Sequence, residues 1–446
     1  MLEKFLSKRH VSSFQIITVG FFTVILIGAL LLMLPIASQD GMSAPFRDTV
    51  FTSTSAVCVT GLIVRDTATS WSMFGQLIIL LLIQIGGIGV VTVAVSIALL
   101  SGRKINLFQR SVMMDSISAP QVGGIVRLTG FILKGTLMIE LVGACLLAPV
   151  FIKDFGVLKG IWYSIFHSIS AFCNAGFDLM GVRTQFSSLT TYADNPLINI
   201  TICLLIVIGG IGFMTWDDVI KYKFNFKKYR LQTKIVLTTT AILIVIPFFI
   251  LFFGEYANET GSLRFFHSLF QAITPRTAGF NTADYSAMSD SGKLLTICLM
   301  LVGGSPGSTA GGMKTTTLAV LVLAMISSMK QMDYANCHGR RIENDIVHSA
   351  CTILMMYLTL FLVGSMIVSR VENLPIVTSM FECGSALGTV GLSLGITPGL
   401  SVTSRIILII FMYLGRVGGL TLAFAAVSTQ RRKVASRMPA EKIMVG

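Results

Sequence analysis

Four short stretches of this chain end alike. Residues 51–62 read FTSTSAVCVTGL, 166–177 FHSISAFCNAGF, 271–280 QAITPRTAGF and 381–392 FECGSALGTVGL. Each closes on two small residues, a glycine and a large apolar residue. The endings are Val59-Thr60-Gly61-Leu62, Asn174-Ala175-Gly176-Phe177, Thr277-Ala278-Gly279-Phe280 and Thr389-Val390-Gly391-Leu392. The glycines are 115, 103 and 112 residues apart. A period this regular marks an array of repeated units and constrains the fold more than local propensity does.

The surroundings repeat as well. Each ending follows a segment of 10–14 residues and lies between two long apolar runs. The long runs are 14–34 and 71–100, 124–150 and 196–216, 233–253 and 293–329, and 347–369 and 402–427. The chain is 53% hydrophobic and 12% charged, with a mean hydropathy of +0.79. A soluble protein carries about 25% charged residues, so this is an integral membrane protein. The long runs reach the ~18 residues that span a bilayer as a helix, whereas the short segments have the length of re-entrant helices. Non-helical backbone at membrane depth survives only where protein buries it or a water-filled cavity meets it. Four such segments therefore imply one shared cavity. The expected fold is an all-α membrane protein of four tandem helix–re-entrant loop–helix repeats, pseudo-fourfold around one central pore. The repeats divide at 1–104, 105–232, 233–345 and 346–446, the last ending in a short basic tail.

Charge and cysteine usage exclude several other classes. The net charge of +13 fits basic cytoplasmic loops, not a nucleic-acid footprint. The eight cysteines form no CxxC or Cys/His cluster, so no zinc or redox motif is expected. The first apolar run is too long for a cleaved signal peptide and lacks a cleavage pattern. Placing residues 1–13, 101–127, 217–234, 330–346 and 429–446 inside gives 21 Lys and Arg there against nine outside. Eight spanning helices with both termini cytoplasmic satisfy that bias. The basic link carrying Lys221, Lys223, Lys227, Lys228 and Arg230 suits anionic headgroups or a docking protein. Lys134 and Glu140, in an apolar run, read as an ion pair or as snorkelling side chains. The sequence assigns no role to Asp217 and Asp218.

One glycine ending alone would mean only close helix packing. Four at this spacing suit the coordination of a dehydrated monovalent cation, for which carbonyls from four loops form a neutral ring. Glycine accepts positive φ, which turns successive carbonyls toward an axis, and adds no side chain to block it. Each short helix would aim its partially negative C-terminus at the cavity. A filter for divalent ions would more often use carboxylates, and the endings contain none. The expected ion-binding residues are Val59, Thr60 and Gly61; Asn174, Ala175 and Gly176; Thr277, Ala278 and Gly279; and Thr389, Val390 and Gly391.

Glycine clusters recur in the following runs, at 86–89, 209–212 and 418–419. The third unit instead reads Gly303-Gly304-Ser305-Pro306-Gly307-Ser308-Thr309-Ala310-Gly311-Gly312-Met313-Lys314. Proline and five glycines in ten residues cannot hold an unbroken helix. A Walker A reading fails because Met313 separates the glycine from the lysine and no strand precedes the loop. A broken helix carrying a gating loop under the ring fits better than a passive kink. Lys314 and Arg416 are intramembrane charges and count as functional until shown otherwise. Arg416 could limit ion passage, or could pair with helix-end carbonyls or Glu382.

At these residues the chain resembles the superfamily of potassium transporters that includes Trk, Ktr and plant HKT proteins. Its length and GGSPGSTAGGMKTT loop are most similar to the membrane subunits of bacterial Ktr uptake systems. The resemblance implies one pore per subunit, with Gly61, Gly176, Gly279 and Gly391 in a selectivity filter. It implies an intramembrane gating loop at 303–312 that Arg416 faces from below. It further implies K⁺ as the transported ion, stimulation by Na⁺, a homodimer, and a cytosolic ring of KtrA-type subunits that bind nucleotide. No cofactor is implied for this chain itself. In this family glycine at all four filter positions goes with potassium, and serine at the first with sodium. Asn174 departs from the other endings. The third unit also departs: His267 lies 12 residues before Gly279 whereas His167 lies nine before Gly176, so its helix or turn is expected to be about one turn longer.

The rival readings are weaker. Coupled secondary transporters usually show inverted halves and mid-membrane carboxylates, for which Glu140 and Glu382 are the candidates. A membrane enzyme needs a nucleophile–base pair or a metal cluster, and histidines 10, 167, 267, 338 and 348 are scattered. The expected function is selective K⁺ permeation, without enzymatic activity.

Overall fold

The computed structural model describes residues 12–100, 105–117, 121 and 123–418. The basic Gly-Arg-Lys at 102–104, Gly419, most of the basic stretch at 1–13 and the tail at 429–446 lie outside the described residues.

Each repeat is built from a long apolar helix, a shorter buried helix and a second apolar helix. The first helices are α1 (Ser13–Leu32), α6 (Ile125–Phe155), α10 (Leu231–Ile250) and α14 (Asn344–Glu372). The short buried helices are α2 (Phe46–Val57), α7 (Val157–Phe172), α11 (Gly261–Ile273) and α15 (Ile376–Gly388). The second helices are α3 (Met73–Ile88) with α4 (Val90–Leu100), α8 (Pro196–Gly210) with α9 (Phe213–Tyr222), α12 (Asp290–Leu301) with α13 (Thr315–Met329), and α16 (Val402–Val417). α5 (Leu107–Ser116) lies between the first two repeats, and a small hairpin, β1 (Asn336–Cys337) with β2 (Arg340–Arg341), between the last two. Each second helix begins on a side chain that accepts backbone N–H groups: Ser72, Asn195, Ser289 and Ser401. The first helices leave large apolar side chains exposed, among them Phe22, Leu141, Ile246 and Met355. A surface of that kind faces lipid rather than water.

The second helices depart from the expected single spans. α3 and α4 meet at 99°, as do α8 and α9. The third glycine of each cluster makes the bend, with Gly89 at φ +97° and Gly212 at +91°. Gly418 ends α16 at φ +88°, and there the described chain stops. Such angles terminate a helix at little cost only for glycine. In the third unit residues 302–314 are not helical, and a bridge between Val302 and Met313 closes the neck of the loop.

The earlier glycines of each cluster have a different role. A Cβ on Gly86, Gly209 or Gly415 would clash with the carbonyl oxygens of Val57, Phe172 and Leu387 respectively. In the first, second and fourth repeats the second helix thus rests its backbone on the C-terminus of its own short helix. Likewise Gly28 and Gly143 admit Ser53 and Ser168, whose hydroxyls would each lie 2.5 Å from an added Cβ. These contacts give a direct expectation. Gly86→Ala should lower stability by about 1–3 kcal/mol through overpacking. Gly130→Ala, on a helix face with nothing within 4 Å, should be neutral or raise it. Thermal unfolding in detergent would read both, and equal effects would contradict the packing described.

Candidate functional site: a ring of four glycine endings above a glycine-rich loop

The hydroxyl near the end of each short helix fixes the ending that follows. Ser55 Oγ accepts from the Gly61 N–H at 3.1 Å, and Ser385 Oγ from Gly391 at 3.0 Å. Ser170 Oγ donates to the Phe177 carbonyl at 2.7 Å, and Thr274 Oγ1 to that of Phe280. The backbone carbonyls of Ser55, Ser170 and Ser385 accept from Thr60, Ala175 and Val390, each at 2.8 Å. In all four endings two residues adopt positive φ. The first are Val59, Asn174, Thr277 and Thr389, at φ 52–69°, and the second are the glycines, at 69–93°. Left-handed backbone at a β-branched residue is costly and persists only where the surroundings impose it. Sequence reading missed the hydroxyl brace and this first strained position. The brace had a signal, a Ser or Thr five or six residues before each glycine.

The four endings close on one another in chain order. A Cβ on Gly61 would lie 2.5 Å from the Ala175 oxygen, and one on Gly176 would lie 2.9 Å from that of Ala278. One on Gly279 would lie 2.5 Å from the Val390 oxygen, and one on Gly391 would strike that of Thr60. Each glycine therefore faces the carbonyl preceding its neighbour, and the circuit returns to its start. The twelve residues named from the sequence lie together in this ring. Any side chain at the four glycines would collide with backbone.

Outside the ring a cavity of about 360 Å³ is floored by the four glycines and flanked by Asp178 and Asp284. Desolvation by the surrounding loops, with a smaller contribution from Asp66 and against the Met180 N–H that it accepts, pushes the Asp178 carboxyl up to about 7. The residue after the buried phenylalanine of three short helices holds the chain at this outer level. His167 Nε2 accepts from the Leu179 N–H at 3.3 Å. Gln271 Oε1 accepts from the Tyr285 hydroxyl. Glu382 accepts from Ser393, Thr397 and the Leu394 N–H. Gln271, not His267, thus takes the place of His167, while His267 pairs with Glu259 at 2.8 Å. The expected extra turn is therefore absent: Gln271 lies eight residues before Gly279 against nine from His167 to Gly176, and the third short helix has 13 residues against 16 in α7.

Beneath the ring the glycine-rich loop touches several repeats. A Cβ on Gly303 would lie 3.2 Å from the Thr277 methyl, and Gly311 packs on Thr389. Thr309 Oγ1 donates to the Phe172 carbonyl at 3.0 Å, while Gly312 N–H donates to the Gly415 carbonyl at 3.1 Å. Ser305 N–H donates to the Gly210 carbonyl at 2.9 Å, and Phe213 N–H to that of Gly307 at 2.7 Å. Within the loop, Ser308 Oγ donates to the Ser305 carbonyl at 2.6 Å. Lys314 folds back, its Nζ donating to the carbonyl of Ala310 at 2.8 Å. Arg416 donates to the carbonyls of Thr309, Gly86 and Gly87, joining α16, the loop and the end of α3. Glu382 is engaged at the outer level, so the alternative pairing of Arg416 with it does not occur. A second cavity of about 310 Å³ lies on the far side of the loop, lined by Gly307, Ser308, Lys314 and Arg416.

Four further charges were misread, left without a role or missed. Glu140 bonds Gln84 at 3.1 Å rather than Lys134. Asp217 and Asp218 receive Arg230, and Asp218 also accepts from Thr233, which closes the link onto the start of α10. Arg276, next to Thr277, is 6% exposed, and among the described residues its guanidinium bonds only Thr240, at 3.5 Å. The basic side chain was visible in the sequence, but its burial was not.

Comparison with known proteins agrees with the architecture. Residues 4–435 match the TrkH family model, described as cation transport protein. The potassium/sodium uptake protein NtpJ of Enterococcus hirae is 39% identical, over 98% of this chain and 98% of its own length. The Ktr system potassium uptake protein B of Bacillus subtilis is 37% identical, over 97% of this chain and 96% of its own. The crystal structure of the potassium transporter TrkH from Vibrio parahaemolyticus superposes with a TM-score of 0.74 over 94% of this chain and 86% of that one, at 18% identity. The fold, the full-length family match and these relatives together place the chain in the Trk/Ktr family of multi-pass membrane proteins that take up potassium.

Proposed function

We propose that the ring of four glycine endings is the selectivity filter of a single K⁺ pathway through this subunit. The observation that carries the reading is the closed circuit in which each glycine faces the carbonyl before its neighbour's glycine. Oxygens arranged in this way can replace the water of a monovalent cation. Backbone carbonyls of residues 59–61, 174–176, 277–279 and 389–391 are the ligands. The short helices end at this level and add their C-terminal dipoles. The loop at 303–312 is the gate. It separates the outer and inner cavities, and Arg416 holds it shut by bonding both Thr309 and the end of α3.

The inside-negative membrane potential, worth ~2.3 kcal/mol per charge per 100 mV, favours K⁺ entry. In this reading both termini and the basic link between α9 and α10 face the cytoplasm. The name of the Ktr system relative supports partner subunits, which in this reading are a second copy of the chain and a cytosolic ring that binds nucleotide, and the name potassium/sodium uptake protein supports a role for Na⁺. The mid-membrane acid Glu140 lies behind the second short helix, bonded to Gln84, which does not favour coupled transport.

Flux into proteoliposomes tests filter and gate together. Gly61→Ser should reduce the preference for K⁺ over Na⁺, and deletion of 307–311 should raise flux severalfold. An unchanged preference would contradict the filter, and unchanged or lower flux in an inserted deletion variant would contradict the gate. Asp178 gives a pH dependence. Its raised pKa means that the carboxylate is charged above about pH 7 and neutral below. Apparent K⁺ affinity should weaken as external pH falls through that value, and Asp178→Asn should be weak and flat across the range. A titration unaltered by that substitution would remove Asp178 from the entry path.

A further inference from the structure

The repeats align residue for residue where the first two meet their short helices. Gly28, Ser53 and Cys58 correspond to Gly143, Ser168 and Cys173, each 115 positions on. Ser53 Oγ donates to the Ile25 carbonyl at 2.7 Å and Ser168 Oγ to that of Glu140 at 2.6 Å. Glu140 therefore occupies the site of Ile25, which is buried and apolar. In the second helices Gly86 and Gly87 correspond to Gly209 and Gly210, each 123 positions on, so Gln84 stands where the next repeat has Val207. Between the first two repeats each of these two sites is polar once and apolar once, and the two polar residues bond each other.

That place is directly behind the second ending. Glu140 is the midpoint of the 31-residue α6 and 5% exposed. Its Oε2 accepts from Gln84 Nε2 at 3.1 Å. The Cys173 thiol donates to Gln84 Oε1 at 3.5 Å, with Glu140 Oε1 at 3.9 Å. Cys173 is fully buried and caps α7, and the next residue is the left-handed Asn174. A Cβ on Gly87 would lie 2.6 Å from the Cys173 sulfur, so the cysteine has no room to retreat. A polar pair used only to join helices would not need to converge on this cap, and an acid in a membrane helix is expensive.

We propose that Glu140 is a positioning residue for ion discrimination. Bonded to Gln84, it holds Cys173 and so the carbonyls of Asn174 and Ala175 at their spacing in the ring. The proposal rests on the filter reading above. A carboxylate is not itself required, since an amide at 140 can accept the same bond from Gln84. Thus Glu140→Gln should keep the wild-type preference. The apolar pair Glu140→Ile with Gln84→Val gives each site the residue that the other of the first two repeats has there. Replacing both partners of a buried hydrogen bond leaves no orphaned group, so stability should be nearly retained.

The experiment measures apparent KM and maximal rate for K⁺ and Na⁺ in proteoliposomes containing the full chain, with thermal stability alongside. Gly176→Ser serves as the filter control. The apolar pair should insert and melt like wild type yet lose K⁺ over Na⁺ preference by roughly threefold to tenfold, through KM rather than maximal rate. Wild-type preference in the apolar pair, with Gly176→Ser impaired, would overturn the proposal and leave the filter standing. Loss in Glu140→Gln equal to that in the pair would overturn it by making charge the agent. Failure of the pair to insert would overturn it by making the network structural. No effect of Gly176→Ser would remove the filter reading, and this proposal with it.

Discussion

The structure depends on backbone meeting backbone at four points where no Cβ fits. Each glycine of the ring faces the carbonyl of the next ending, so the endings can close only if all four short helices arrive at one level. Further glycines secure that level. Gly86, Gly209 and Gly415 let the second helices rest on the last carbonyls of the short helices. The hydroxyls of Ser55, Ser170, Thr274 and Ser385 then tie each ending to its own helix. The strain at Val59, Asn174, Thr277 and Thr389 is held by these contacts rather than relaxed. Conformation is thus spent on exposing carbonyls that would otherwise be paired inside a helix.

Departures from fourfold symmetry carry the rest of the behaviour. In three repeats the second helix runs unbroken as far as its glycine cluster, whereas in the third it stops at Leu301 and a non-helical loop lies beneath the ring. That loop is bonded to the end of α7, to the α8–α9 bend, to α16 and, through Arg416, to α3. Its position is a balance of many hydrogen bonds, the neutral ones each worth about 1 kcal/mol net and those from Arg416 somewhat more. A balance of that kind can be shifted by modest movements of α3 or α16. Among the described residues the Arg416 guanidinium bonds three carbonyls and no carboxylate.

The period of the glycine endings made the repeat architecture legible, because the spacing of the glycines does not depend on how each helix bends. The break at 302–314 was equally legible, since proline among glycines forbids a helix. The bends at Gly89 and Gly212 were not. An apolar run reads as one span whether straight or folded at 99°, and glycine permits either. The positive φ at Val59 and Thr389 was illegible because residue type argues against it. Glu140 was read as an ion pair with Lys134 or as a snorkelling side chain, whereas its partner Gln84 comes from another repeat. His267 was aligned by residue identity, although the level in the membrane belongs to Gln271. Contacts between repeats are set by the rotation of each helix, which the sequence of one repeat does not state.

The most direct test is the location of a bound heavy analogue of K⁺. Anomalous diffraction from crystals of the protein grown with Tl⁺ would show it. The account requires density inside the ring, about 3 Å from the carbonyl oxygens of Thr60, Ala175, Ala278 and Val390. Density confined to the carboxylates of the outer cavity, with none in the ring, would contradict it.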